Sequence, residues 1–264
     1  MTSQFRIPVG GAVLSGERRD APGTPLVLAH GFGGSRRDWD PLVAALTVPR
    51  PLIAYDQRGF GDSDIGTDID DSAYSHADDL LAVLDALGIA EADLCGMSLG
   101  GATVLNFALD HPERVRRLVL VSPLMVGWTW TADWVERWKA IGRAARAGDM
   151  AQARALWWEH PLFDAVRETP AAAAMRASIE AFHGRQWVQD AQRPALPDSE
   201  RLGQLAMPAL LLTGGCDTAD FRMIAQAIAA MGQRVIRIDH EAAGHMLNLE
   251  MPGTIAAEIE RFLG

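Results

Sequence analysis

Ser98 lies in Gly96-Met97-Ser98-Leu99-Gly100-Gly101, which contains the G-x-S-x-G spacing of a nucleophile elbow. A serine hydroxyl is a weak nucleophile in water. At the tip of a tight strand-to-helix turn it meets a base and backbone N–H donors at once. Such a turn strains the serine backbone and brings neighbouring chains so close that only glycine-sized residues fit two positions before and two after it. Gly96 and Gly100 occupy those positions, and Gly101 adds a further small residue. The competing reading is a serine that merely caps a helix over residues 99–111. The chemistry, if present, is acyl transfer, and it requires a base and a carboxylate elsewhere in the chain.

The elements that must position these groups follow from hydrophobic periodicity. Phe5–Val9 and Ala12–Ser15 flank Gly10-Gly11, a hairpin turn pair. Leu26–His30, Pro51–Tyr55, Ala92–Met97, Val115–Ser122, Ala209–Thr213 and Arg234–Asp239 read as short buried strands. Helical spacing covers Ala77–Leu87, Leu99–Leu109, Phe221–Met231 and Ile255–Leu263. The alternation predicts an α/β protein, a mostly parallel sheet flanked by helices. From Leu124 to Leu202 the pattern is helical without strands, and seven of the eight tryptophans fall there. Pro194-Ala195-Leu196-Pro197 marks the return to strands. The expected organisation is a first part of the core over 1–123, a helical cap over 124–203 and a second part of the core over 204–264.

At 264 residues the chain can bury a full core. Its net charge of −10 argues against nucleic acid or an anionic membrane as a partner. The first residues lack the charged-then-apolar form of a secretory signal, and no apolar run has membrane-spanning length. Cys95 and Cys216 end two strands with one strand between them, about 9–10 Å apart at sheet spacing and too far for a disulfide. Reduced thiols and a cytoplasmic location are expected. Neither H-E-x-x-H nor a C-x-x-C pair occurs, and Gly31–Gly34 lacks the Lys-Ser/Thr ending of a phosphate loop. No metal and no cofactor are expected.

Several motifs in order make the chain resemble the α/β-hydrolase superfamily over nearly its whole length. His30-Gly31-Phe32-Gly33-Gly34 is similar to the H-G-x-G loop, and Asp56-Gln57-Arg58-Gly59-Phe60-Gly61-Asp62-Ser63 to the D-x-R-G-x-G-x-S segment. Gly214-Gly215-Cys216-Asp217 resembles the acid turn, and Ala243-Gly244-His245-Met246 the loop of the base. The resemblance implies an α/β-hydrolase fold with a helical cap insertion. It implies Ser98, Asp217 and His245 as catalytic residues, in the order Ser…acid…His. The backbone N–H groups of Phe32 and Leu99 are the implied oxyanion donors. Asp220 is the rival acid, with a role as helix cap set against it; His240 is the rival base. His30 is expected to tie down its loop, Asp56 and Arg58 to form a charged network, and Cys216 to be a small buried filler.

Trp128 and Trp130 follow the strand ending at Ser122 and are candidates for lining the substrate pocket. Against this, a small helical lid needs large side chains for its own core. His160 and His183 lie in the same segment. The expected substrate is a small carboxylic ester or lactone with an apolar or aromatic portion, as in bacterial carboxylesterases and 3-oxoadipate enol-lactonases. Carbon–carbon hydrolases, cofactor-free haloperoxidases with perhydrolase activity, and ligand receptors with slow turnover are the alternatives on the same fold.

Overall fold

The computed structural model of the chain describes residues 2–66, 74–189, 192–193 and 195–264. Pro194, part of the proposed return from the cap, lies outside them. Eight strands form one sheet: β1 (Thr2–Val9), β2 (Ala12–Arg19), β3 (Leu26–Ala29), β4 (Leu52–Tyr55), β5 (Ala92–Met97), β6 (Val115–Val121), β7 (Ala209–Gly214) and β8 (Val235–His240). Their spatial order is β1-β2-β4-β3-β5-β6-β7-β8. The β1–β2 and β2–β4 pairs are antiparallel, and every later pair is parallel. The hairpin turns at Gly10 and Gly11, whose φ of 46° and 77° suits glycine. β1 and β2 run further than their apolar spacing predicts. The residues added to β1 sit on the edge strand, where Thr2-Ser3-Gln4 face solvent and carry no hydrophobic alternation, and those added to β2, residues 16–19, pair with both β1 and β4.

The inner strands β3, β4, β5 and β7 are buried on both faces and β6 nearly so, and they read as apolar runs, whereas the edge strand β8 is partly exposed. Along β3, Leu26 and Leu28 enter one core while Val27 and Ala29 enter the other. Helices α1 (Asp40–Ala45) and α11 (Pro252–Leu263) cover the first face, through Leu42, Ile255 and Ile259. Helices α2 (His76–Ala86), α3 (Leu99–Asp110) and α9 (Ala219–Met231) cover the second, through Leu80, Leu105 and Ile224. Between β6 and β7 the chain forms α4 (Ala132–Arg146), α5 (Met150–Trp158), α6 (Asp164–Arg167), α7 (Ala172–Ala181) and α8 (Arg185–Val188). Short α10 (Leu247–Glu250) precedes α11. Trp157, Phe163, Ile141 and Ile179 of the inserted helices join the first core, so this segment packs onto the sheet domain rather than standing apart.

Three sequence expectations change. Asp56 and Arg58 do not pair with each other. Asp56 accepts from the backbone and guanidinium of Arg36 and from the Asp62 N–H, whereas Arg58 forms a two-pronged pair with Asp79 at 2.6 and 2.8 Å. Successive residues past a strand end point to different neighbours, and each charge is neutralised locally. Asp220 is not a helix cap: α9 begins at Ala219, and the Asp220 carboxylate accepts from Trp128 Nε1 and from both Thr131 N and Oγ1. Cys216 is exposed rather than buried, because the acid turn stands at the sheet's rim; Cys95 is buried, and both thiols are free.

Candidate active site

Every candidate residue follows the carboxyl end of a parallel strand. Phe32 comes after β3, Ser98 after β5, Asp217 after β7 and His245 after β8. Loops at these ends face one side of the sheet, where open α/β sheets bind ligands.

Ser98 has φ 53° and ψ −114°, an unfavourable region for any residue with a Cβ. The crowding around it explains the glycines. A Cβ on Gly96 would lie closer than 3.0 Å to the Gly100 carbonyl, and one on Gly100 would collide likewise with the Ala29 carbonyl. A Cβ on Gly101 would meet Pro123 Cβ at 2.6 Å. The turn is tied down by Ser98 N donating to Val121 O at 3.1 Å and Leu124 N donating to Ser98 O at 2.9 Å. The Ser98 side chain makes no capping hydrogen bond to α3. The cap reading therefore loses its physical basis, and the hydroxyl is left for the cavity that it lines.

The loop after β3 is braced from below. His30 Nε2 accepts the Gln57 N–H at 3.0 Å, so its proton sits on Nδ1, which donates to Gly31 O at 2.8 Å. Burial pushes the His30 pKa down and keeps the ring neutral. Gln57 returns a bond to His30 O and accepts from Thr103 of α3, joining the loop to the elbow helix. Asp38 forms a capping box with Ser35, and burial raises its pKa to about 7. The Phe32 ring packs edge-on against Phe60, Trp138, Trp157 and Phe182 at 5.1–5.6 Å. Leu99 opens α3, where the first N–H groups have no partner within the helix.

His245 Nδ1 lies 2.8 Å from Asp217 Oδ2, with both side chains almost fully buried. The carboxylate accepts, which fixes the proton on Nδ1 and leaves Nε2 as the basic atom. Nε2 has no hydrogen-bond partner among the described residues. His245 and Ser98 share a narrow cleft of about 10 Å³, with Gly31, Phe32 and Asp38 also on its walls. The turn carrying Asp217 and the loop carrying His245 touch along their backbones: Gly215 N donates to His240 O and Cys216 N to Ala243 O, each at 2.9 Å. A Cβ on Gly214 would strike the carbonyls of Ala243 and Gly244, so glycine here is what permits that approach. The other rivals are occupied. His240 Nε2 pairs with Glu258 at 3.0 Å, and Asp220 holds Trp128 and Thr131.

Glu250 was not legible as part of this site. Its carboxylate accepts from Gly244 N at 2.6 Å and Met246 N at 2.9 Å, clasping His245 from both sides in the chain. The sequence signal is only an acidic residue five positions after His245.

A cavity of about 530 Å³ opens above Ser98. Trp130, Trp134, Trp138 and Trp157 line it with Phe32, Phe60 and Phe221. Trp130 thus lies where a pocket residue is expected. Trp128 does not border the cavity, because its indole is spent on Asp220. The tryptophans also pack the inserted helices: Trp130 stacks on Trp134 at 4.2 Å, and Trp157 meets Phe163 at 5.2 Å. His160 caps the turn after α5 through Leu162 N, and burial lowers its pKa to about 4. Among the described residues no three His, Cys, Asp or Glu side chains converge as a metal site would require, and no helix is long and apolar enough to cross a membrane.

Comparison with known proteins agrees with this architecture. A family model described as alpha/beta hydrolase fold matches residues 24–252. Over 104 residues the chain is 40% identical to a putative carbamate hydrolase, RutD, of Caulobacter vibrioides, a stretch covering 39% of this chain and 37% of that protein. It is 27% identical to 3-oxoadipate enol-lactonase 1 of Acinetobacter baylyi over 86% of this chain and 84% of that one. The solved structure of a hydrolase from Pseudomonas aeruginosa PA01 superposes with a TM-score of 0.83 at 27% identity, covering 99% of this chain and 98% of the other. An eight-stranded sheet of this topology, with its elbow and the matching family model, makes the chain a member of the alpha/beta hydrolase fold family.

Proposed function

We propose that the protein is a cofactor-free serine hydrolase that cleaves a small carboxylic ester or lactone through an acyl-enzyme on Ser98. The observation that carries the reading is the Asp217–His245 hydrogen bond of 2.8 Å, which leaves Nε2 without a partner on a ring that lines the cleft shared with Ser98. His245 takes the Ser98 proton as Oγ adds to the substrate carbonyl. Asp217 holds the imidazole tautomer and stabilises the imidazolium. The N–H groups of Phe32 and Leu99 receive the oxyanion. The tetrahedral intermediate collapses as His245 gives its proton to the leaving oxygen. Water then adds to the acyl carbonyl, His245 accepts its proton, and Ser98 leaves with a proton from the same ring. Residues 124–203 act as the lid that excludes bulk water and shapes the pocket.

The test is direct. Purified protein is expected to label with a fluorophosphonate probe and to turn over p-nitrophenyl esters. Ser98→Ala and His245→Ala should each lower kcat/KM by about 10,000-fold or more with unchanged melting behaviour. Activity within a few fold of wild type in either variant overturns the mechanism. Cleavage of a vinylogous diketone in preference to every ester and lactone moves the reading to carbon–carbon hydrolysis on the same residues.

A further inference from the structure

The cavity above Ser98 is apolar over most of its wall, yet three buried side chains on it, His76, Gln186 and Trp157, hold polar atoms without partners among the described residues. His76 is 5% exposed, with neither ring nitrogen hydrogen-bonded. Gln186 is 6% exposed, and its Oε1 is likewise unpartnered. Both line the cavity. They belong to one patch of wall: Gln186 Nε2 donates to Gly59 O at 2.8 Å, and the next residue, Phe60, packs on the His76 ring at 6.2 Å. The bond to Gly59 also settles the amide's orientation, since only the NH₂ end can donate to a carbonyl. Gln186 therefore presents a pure acceptor.

Several other polar groups on the wall are already committed. Ser75 caps α2, Thr103 bonds Gln57, and Asn106 bonds Asp198 at 2.8 Å. Arg193 is paired with Asp78 and Lys139 with Glu136. The Trp157 indole N–H, beside Gly33 of the loop after β3, is a third buried group on the wall without a partner among the described residues, and it can only donate. Burial depresses the His76 pKa to about 3, so the ring is neutral, with one donor and one acceptor. A buried polar group without a partner is costly, and two on one wall of a ligand cavity mark where a ligand supplies the missing bonds.

We infer that the substrate is an ester whose acyl chain ends in an uncharged group that both donates and accepts hydrogen bonds, a hydroxyl or a carboxamide, read by Gln186 Oε1 and His76. This rests on the ester-hydrolase reading above. The acyl side is assigned by the proton that His245 must deliver to the leaving oxygen. Phe221 packs on the His245 ring at 4.3 Å and borders the same cavity beside Trp130 and Trp134. The alcohol portion belongs at that aromatic end, and the acyl chain runs toward Phe60, His76 and Gln186. An ionised carboxylate would face the lone pairs of Gln186 and a neutral imidazole, while Arg58 and Arg193 nearby are already neutralised by Asp79 and Asp78, so it is disfavoured. A methyl terminus would leave both polar groups unpaired.

The experiment uses p-nitrophenyl esters of ω-hydroxyalkanoic and ω-carboxamidoalkanoic acids of graded length. Each is matched with the methyl-terminated ester and with the ω-carboxylate half-ester of equal length. For wild type, kcat/KM for the hydroxyl or amide ester should exceed that of its methyl partner by about tenfold or more at the best length, with the carboxylate below both. The hydroxyl-to-amide ratio identifies which group the wall takes. Gln186→Leu and His76→Leu should each bring the polar-to-methyl ratio toward one. Turnover of the series with no polar preference, a carboxylate preference, or an unchanged ratio in both variants overturns the inference while leaving the ester-hydrolase reading intact. No turnover of any ester and no fluorophosphonate labelling overturn that reading, and this one with it. The wild-type ratios decide the matter even if a variant fails to fold.

Discussion

The strand-tip frame and the helical lid solve different packing problems. In the frame, backbone meets backbone: Gly100 abuts the Ala29 carbonyl and Gly214 the carbonyls of Ala243 and Gly244. No larger residue fits, so the constraint is written as residue identity. In the lid, side chain meets side chain: Trp130 on Trp134, Trp157 against Trp138 and Phe163, Phe182 edge-on to Trp187. Many combinations of large apolar groups fill such a space, so the constraint is written only as composition. Hard contacts between fixed carbonyls therefore leave a motif, whereas soft contacts among rotatable rings leave an enrichment.

The sharpest way to break this comparison is within the frame's own carboxylates. Asp217→Asn should cost about 10,000-fold in kcat, because an amide cannot hold the same imidazole tautomer. Asp220→Asn should cost far less, since that carboxylate anchors Trp128 and Thr131 at the start of the lid. The reverse ranking of ester hydrolysis rates would move the acid from the frame to the lid's root.

A smaller effect separates crowding from spacing. Gly100→Ala should destabilise the fold by about 3 kcal/mol or more, since its Cβ would enter the Ala29 carbonyl. Gly203→Ala, at the end of the lid segment with nothing within 4 Å of its Cβ, should stay within about 0.5 kcal/mol. Urea denaturation of both variants measures the contrast, and equal losses would remove it.

The smallest effect concerns pH. Asp38, under the loop after β3, has its pKa raised to about 7 by burial, with Asp56 and Asp40 adding to the shift. Between the ordinary carboxylate value of about 4 and that value, the folded state keeps a proton that the unfolded chain has released. This contribution is therefore fully present below about pH 4 and is lost as pH rises toward 7. Asp38→Asn should remove the loss, gaining of order 2 kcal/mol on wild type between pH 4.5 and pH 7.5. Melting curves at the two pH values that move in parallel for both proteins would show that Asp38 is solvated in the fold. Trp157, Leu162 and Met175 border the same cleft as Asp38, so the effect also tests whether that cleft is dry.

The inner parallel strands were legible because burial on both faces demands runs such as Leu26-Val27-Leu28-Ala29. The edge strand's polar beginning was not, because Thr2-Ser3-Gln4 pair through backbone groups common to all residues. Ser98, Asp217 and His245 stood out by their flanking glycines and their order. Glu250 did not, because clasping two backbone N–H groups needs only a carboxylate at the right place in space. The pairing of Asp56 with Arg36 and of Arg58 with Asp79 was hidden for the same reason, since charges adjacent in sequence diverge past a strand end.

By itself the sequence determined the sheet, the elbow and the family, because close backbone approach and two-sided burial dictate residue types position by position. Only the tertiary structure decided which tryptophans face the cavity, where the Asp220 carboxylate is spent, and that His76 and Gln186 meet on one wall. Those outcomes depend on the directions of side chains brought together from distant segments. Orientation in space leaves no spacing in the chain.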